Sequence, residues 1–346
     1  MPTPEAPAPD MATAIELIRR ARRVIVVTHI DPDGDAIGTL LGLGWALEAM
    51  GKSVTLACDD RVPWNLEFLP GSARVVNDLP DAPAPDLVMV VDCSDVRRIG
   101  QVGAKAAALG APLINIDHHV TNTRFGDVNI VDPDCVSATE IVFSLLAAMG
   151  HPLDANTATC LLTGLITDTV GLRTANVTQR VLLTAVRLMD AGAPLTTITE
   201  QALDRQSFAA LAAMGKALGN VHCEDGVIWS AMSLNEARSI DPGGAEVRPR
   251  HFSNMLNTVD GACVAVFFAE MPGGRVDVSM RAKPGFDLSV LFDEGQALHN
   301  QGGGHPLASG AEVHAPLDET VTRVVAALKA LVKQQRSESR VQNPDA

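Results

Sequence analysis

The chain has 346 residues, long enough for two domains and for a core that needs no disulfide or metal staples. Apolar residues make up 47% and charged residues 20%, which excludes a disordered chain. A formal net charge of −14 repels polyanions and argues against a general grip on long duplex DNA or RNA.

Taken in chain order, the proline-rich, acidic residues 1–10 predict a frayed tail, with neither the basic start nor the apolar stretch of a signal peptide. Short β-branched runs at 24–27, 53–56, 87–91 and 112–116 predict strands. Between them, Ala- and Leu-rich stretches at 38–50 and 104–109 predict helices. Strand and helix in alternation predict an α/β fold: a mostly parallel sheet flanked by helices over 11–192. From Ala138 the pattern turns helical, and 193–219 reads as a helical linker. Strands return at 227–232, 262–268 and 276–280 and a helix closes at 317–332, which predicts a smaller mixed α/β domain over 220–333. A polar tail over 334–346 is expected to follow. No apolar run approaches the ~20 residues that span a bilayer, and the six scattered cysteines contain no C-x-x-C pair. A soluble cytoplasmic protein with no membrane partner is the expectation.

The chemistry sits where the strands stop. The first run ends in Thr28-His29-Ile30-Asp31-Pro32-Asp33-Gly34-Asp35, the third in Asp92, and the fourth in Asp117-His118-His119. Asp168 follows a further apolar stretch at 160–166. In an open parallel sheet the carboxyl ends share one edge, where ligand crevices form. Asp33, Asp35, Asp92 and Asp168 would repel one another there unless cations lay between them, and two divalent ions would neutralise the four charges. His29 and His118 would add imidazole nitrogens. Such a mixed set suits Mn²⁺ first, with Mg²⁺, Fe²⁺ or Co²⁺ as alternatives. Each feature alone has an ordinary account, such as a helix N-cap, a Pro-Asp-Gly turn or a solvated histidine pair. Their recurrence on successive strand ends does not.

These residues resemble the DHH phosphoesterases. His29-x-x-x-Asp33-x-Asp35, the isolated Asp92, Asp117-His118-His119 and Asp168 stand in that family's order. Ser279-Met280-Arg281 and Gly302-Gly303-Gly304-His305 resemble the signature of its associated C-terminal domain, so the likeness runs from about Thr13 to Val332. The bacterial nanoRNase/pAp phosphatase branch is the most similar. The resemblance implies that one ion takes His29, Asp33 and Asp92 and the other Asp35, Asp92, His118 and Asp168. It also implies that Asp117 orients a neighbouring ligand and that His119 faces the substrate phosphate and helps protonate the leaving oxygen. Arg281 and the Gly302, Gly303, Gly304, His305 segment would hold the distal phosphate or nucleotide, the glycines as a loop whose backbone N–H groups cradle an anion. The implied reaction is Mn²⁺-dependent, two-metal, in-line attack of a bridging hydroxide. Its substrates would be RNA of two to about five nucleotides, cut to mononucleotides, and 3′-phosphoadenosine 5′-phosphate (pAp), cut to AMP.

Linear or cyclic dinucleotides (pApA, cyclic di-AMP) are the alternative substrates. A non-catalytic nucleotide sensor is the alternative class, but it would need a broken ligand position and none of the six is broken. Relatives are often homodimers, and that question stays open here. The sequence departs from the pattern after Asp168, where Thr-Val-Gly-Leu-Arg replaces a segment that carries a second glycine and a phenylalanine in many relatives. The chain has no tyrosine, so base stacking must rest on few residues. Gly38-x-x-x-Gly42-x-Gly44 reads as helix packing, and the basic residues at 248–251 as a solvated loop or a second phosphate contact.

Overall fold

The computed structural model describes residues 9–241 and 252–342, which form two compact units divided between Arg205 and Gln206. The first unit contains α1 (Pro9–Arg20), β1 (Arg23–Val27), α2 (Gly34–Ala49), β2 (Ser53–Ala57), β3 (Leu87–Val91) and α3 (Gly100–Ala107). It continues with β4 (Leu113–Asp117), β5 (Val128–Val131), α4 (Ala138–Ala148), α5 (Ala155–Asp168), α6 (Gln179–Asp190) and α7 (Leu195–Ile198). The five strands pair in parallel in the order β2-β1-β3-β4-β5. Both faces are covered, which is why the strands read as unbroken apolar runs rather than alternating ones. Val24, Val26, Met89, Val91, Ile114 and Ile116 pack with residues of α2, α4 and α5. Ile25, Val27 and Val88 pack on Val102 and Ala106 of α3 on the other side. The chain leaves β1 toward β2 on one side and returns to β3 on the other, so a crevice opens between the carboxyl ends of β1 and β3.

The second unit contains α8 (Phe208–Gly219), β6 (His222–Glu224), β7 (Val227–Met232), α9 (Leu234–Ile240), α10 (Phe252–Leu256), β8 (Val264–Met271), β9 (Arg275–Ala282), β10 (Gly302–His305), β11 (Ala308–Val313) and α11 (Leu317–Gln342). Its mixed sheet has the order β10-β11-β9-β8-β7-β6, parallel only at β7–β8. One face is closed by α11, through Val324 and Leu328 on Val278 and Met280. On the other face, Ala213 and Ala217 of α8 and Phe252 of α10 cover Ile228, Ala265 and Phe267 of β7 and β8. Among the described residues no single helix is long and apolar enough to cross a membrane.

Four local features differ from the sequence expectation. Helix α1 starts at Pro9, within the stretch expected to fray, because Ala14, Ile15 and Ile18 bury one face. Helix α2 starts at Gly34 rather than near Gly38, because Asp33 caps it by accepting from the N–H groups of Asp35 and Ala36, both at 3.0 Å. Helix α11 runs on to Gln342, beyond the expected end at Val332. Gly302, Gly303, Gly304 and His305 form an edge strand rather than a loop. A Cβ at Gly302 would lie 2.1 Å from the Gly310 carbonyl oxygen, and one at Gly304 would lie 2.6 Å from that of Ala308. Those two glycines therefore serve the close approach of β10 to β11.

Candidate metal centre

Three strand ends and the end of α5 deliver the six expected ligands to one place. His29 follows β1, Asp33 and Asp35 open α2, Asp92 follows β3, His118 follows β4, and Asp168 closes α5. Their ligand atoms form overlapping triads within 4.8 Å: His29–Asp33–Asp92, Asp35–His118–Asp168 and Asp92–His118–His119. Asp31 lies outside all three.

Helix packing sets part of this geometry. Helices α2 and α5 meet along a seam of small residues, where a Cβ at Gly34 would lie 2.2 Å from Thr167 and one at Gly38 2.6 Å from the Cys160 carbonyl. Gly164 on the facing helix would place a Cβ 2.7 Å from Asp35 Oδ1. Without side chains at these points the helices close up and bring Asp35 beside Asp168. The N-terminus of α4 then holds Asp35, whose carboxylate accepts from Ala138 N at 2.6 Å and Thr139 N at 3.1 Å.

The electrostatics are those of a cation site. Around His118 Nε2 stand carboxylate oxygens of Asp92 and Asp168, each at 3.6 Å, and of Asp35 at 3.8 Å. These separations are too long for hydrogen bonds. Asp92 is 2% exposed, its Oδ1 has no hydrogen-bond partner, and its backbone is left-handed at φ 52°. A buried carboxylate oxygen without a partner costs about 1–3 kcal/mol, and a non-glycine residue at positive φ adds strain. Burial, then repulsion from Asp35 and Asp33, holds the Asp92 carboxyl well above its usual range. Burial and the charges of Asp35 and Asp92 do the same to Asp168, and burial is the largest cause of the upward shift at Asp35. Nearby thiols are no competitors as ligands, since burial pushes Cys58 up to about 11 and Cys93 up to about 12. The donor set is oxygen and imidazole, and these residues fit divalent cations.

Two histidines are engaged at Nδ1. His29 Nδ1 lies 2.7 Å from the Ile30 carbonyl and 3.1 Å from Nη2 of Arg98, a residue the sequence did not single out, while its Nε2 faces Asp92 Oδ2 at 3.5 Å. His119 Nδ1 donates to Asp117 Oδ1 at 2.7 Å, while Asn122 Nδ2 donates to the other oxygen at 2.6 Å. That bond, against opposing burial, raises the His119 pKa. Burial pushes Asp117 up, but its bonds to His119 and Asn122 outweigh this and leave its pKa lowered. After Asp168 the chain turns left-handed at three successive residues, Val170 (φ 50°), Gly171 (φ 74°) and Leu172 (φ 64°). Valine is strained in that region, so the departure noted in the sequence falls where glycine would sit without strain.

Arg281, Gly302, Gly303, Gly304 and His305 belong to the second unit. Register puts Arg281, Ala308 and His305 in one row across β9, β11 and β10, so Arg281 and His305 share a face roughly 9–10 Å apart. Ser279, Gly310 and Gly303 form the next row on that face. Arg281 Nε donates to Asn254 Oδ1 at 2.5 Å and Nη1 to the Met280 carbonyl at 2.8 Å, which fixes the guanidinium plane. Unlike its neighbours, Gly303 has open space where a Cβ would go. The basic residues at 248–251 lie outside the described residues.

Comparison with known proteins bears on the family and the fold. The model described as "DHH family, N-terminal domain" matches residues 23–165, and the DHHA1 domain matches 244–334. The bifunctional oligoribonuclease and PAP phosphatase NrnA of Thermus thermophilus is 33% identical over 94% of this chain and 96% of its own length. The protein of the same name from Bacillus subtilis is 26% identical over 90% and 95%. Among solved structures, an exopolyphosphatase-related protein from Bacteroides fragilis superposes with a TM-score of 0.84 at 26% identity, covering 94% of this chain and 97% of that one.

Proposed function

The chain belongs to the DHH family, and on that premise we propose that it hydrolyses very short oligoribonucleotides to mononucleotides and pAp to AMP. The observation that carries this reading is the six-ligand cluster at the β1/β3 crevice, with its orphaned Asp92 oxygen. Full-length similarity to two proteins named oligoribonuclease and PAP phosphatase supports the choice of substrate.

His29, Asp33 and Asp92 would hold one divalent cation and Asp35, Asp92, His118 and Asp168 the other, manganese being the first choice. Such a pair supplies charge neutralisation at the phosphoryl oxygens and an activated water. Asp92 belongs to two of the three triads, with Oδ2 3.5 Å from His29 Nε2 and Oδ1 3.6 Å from His118 Nε2. His119, its Nδ1 proton fixed by Asp117, presents Nε2 to the phosphoryl group, and the raised pKa favours the protonated form that can donate to the leaving oxygen. Arg281, with Gly302, Gly303, Gly304 and His305, takes the phosphate or nucleotide at the far end of the substrate, where a planar guanidinium suits a phosphate.

Hydrolysis of pAp, pApA, cyclic di-AMP, a 3-mer RNA and a 24-mer RNA with Mn²⁺ or EDTA tests the reading. Mn²⁺-dependent release of AMP from pAp and mononucleotides from the 3-mer, lost in Asp92→Ala, is the expected result. Preferred turnover of cyclic di-AMP would reassign the substrate. No turnover of any of them would return the protein to a nucleotide-sensing role.

A further inference from the structure

The loop that carries His29 and Asp33 is held from outside by the end of β2. Asn77 Nδ2 lies within reach of three successive carbonyl oxygens, those of Cys58 at 3.0 Å, Asp59 at 3.2 Å and Asp60 at 3.0 Å, and so pins the chain there. From that anchor Cys58 Sγ donates to the His29 carbonyl at 3.3 Å. Asp60 Oδ2 accepts from the Asp31 N–H at 2.7 Å. Between them, the Ile30 N–H donates to the Arg98 carbonyl at 2.8 Å. The backbones of residues 29, 30 and 31 are therefore each tied to a partner outside the loop. Asp59 braces the next loop in the same manner, accepting from Gln101 N and Val102 N, both at 2.6 Å, where α3 begins.

Asp31 is the point at which the loop turns. Its φ of 52° is left-handed, a conformation uncommon outside glycine that Asp tolerates better than most residues. The external bond to its N–H comes from a carboxylate, the stronger class of acceptor. Asp31 and Asp60 are both exposed and both acidic, so ordinary surface electrostatics would push these residues apart. The hydrogen bond holds them together.

We propose that Asp60 is a positioning residue: through Asp31 it sets the separation of His29 and Asp33, and with it the shape of the His29–Asp33–Asp92 triad. The Asp35–His118–Asp168 triad hangs instead on α2, α4, α5 and the end of β4, where Asp35 is held by Ala138 N and Thr139 N. This inference rests on the metal reading given above.

Manganese binding to the purified full chain, read from the EPR signal of free Mn²⁺ during titration, tests it. The wild type should take up two ions. Asp60→Ala should weaken one of the two by about 10–100-fold, the usual loss when a partner behind the ligands is removed, and leave the other unchanged. Asp60→Asn loses the charge but keeps an oxygen that can accept the Asp31 N–H, and it should bind both ions as the wild type does. Melting in EDTA should be alike for all three, because Asp60 is exposed. Three results overturn the proposal: two unchanged ions in Asp60→Ala, equal weakening of both ions, or the same loss in Asp60→Asn, which would mark a simple charge effect. Wild-type protein that takes up no manganese would refute the metal reading itself, and this inference with it.

Discussion

Asp92→Asn replaces one oxygen by an amide at a buried carboxylate common to two of the three triads, and its effect on stability should reverse sign with metal. In metal-stripped protein the Asp92 carboxylate is 2% exposed, has an oxygen without a partner, and faces the charges of Asp35 and Asp33. Relief of one such buried group amounts to about 1–3 kcal/mol. For a unit ending at Arg205, each kcal/mol moves the melting temperature by about 2–4 °C, so the variant should melt roughly 2–12 °C higher in EDTA. The pH dependence follows from the same groups. Asp35, Asp92 and Asp168 are all held above their ordinary value of 3.8, so the folded state keeps protons that the unfolded state has released. Stability of the stripped protein must then fall as pH rises from about 4 through those raised values, and fall less steeply in Asp92→Asn. With Mn²⁺ at 100 times its dissociation constant the wild type gains about 2.7 kcal/mol per site, while the variant, short of the common ligand, gains little. Calorimetry at pH 5 and pH 8, with EDTA and with Mn²⁺, reads all four states. A variant that melts below the wild type in EDTA at pH 8 would mean that Asp92 makes net stabilising contacts without a cation, and would refute the reasoning.

Asp117→Asn removes the partner that raises the His119 pKa, so the alkaline limb of kcat against pH should move to lower pH; an unmoved limb would exclude His119 as the proton donor. Gly164→Ala would put a methyl 2.4 Å from Thr139 Cγ2 and 2.7 Å from Asp35 Oδ1, costing about 1–3 kcal/mol in thermal stability and displacing Asp35, so Mn²⁺ uptake at its triad should drop as well. Gly303→Ala meets open space and should leave the melting temperature unchanged while raising KM, whereas Gly302→Ala, with 2.1 Å to the Gly310 carbonyl oxygen, should destabilise; equal losses from both would contradict the edge-strand geometry. Val170→Gly relieves a left-handed valine worth about 1–2 kcal/mol, against about 0.4–1 kcal/mol of added unfolded-chain entropy, so the melting temperature should hold or rise, by up to about 6 °C, and not fall in a thermal scan.

How much of this was legible in the sequence depends on whether the constraint is local. The clustering of the candidate residues was, because each Asp or His stands within a few residues of a β-branched run or at the end of an apolar helix, and those ends meet at one edge of the sheet. Strand β5 was not, since Val128–Val131 is four residues long with asparagine in the middle, too short for its alternation to stand out. Strand β10 was read as an anion-cradling loop because glycine carries no strand preference, and the reason for Gly302 and Gly304 lies across the sheet in the backbone of β11. Asp60, Asn77 and Arg98 carry still less signal. Asp60 meets Asp31 across 29 residues of sequence, and what it must supply is one acceptor oxygen at one point, which Asp, Asn, Ser or a backbone carbonyl could each provide. A ligand must be a particular residue at a particular strand end, whereas a brace need only be some acceptor that the fold brings within 3 Å, so sequence pattern marks the first and leaves the second to geometry.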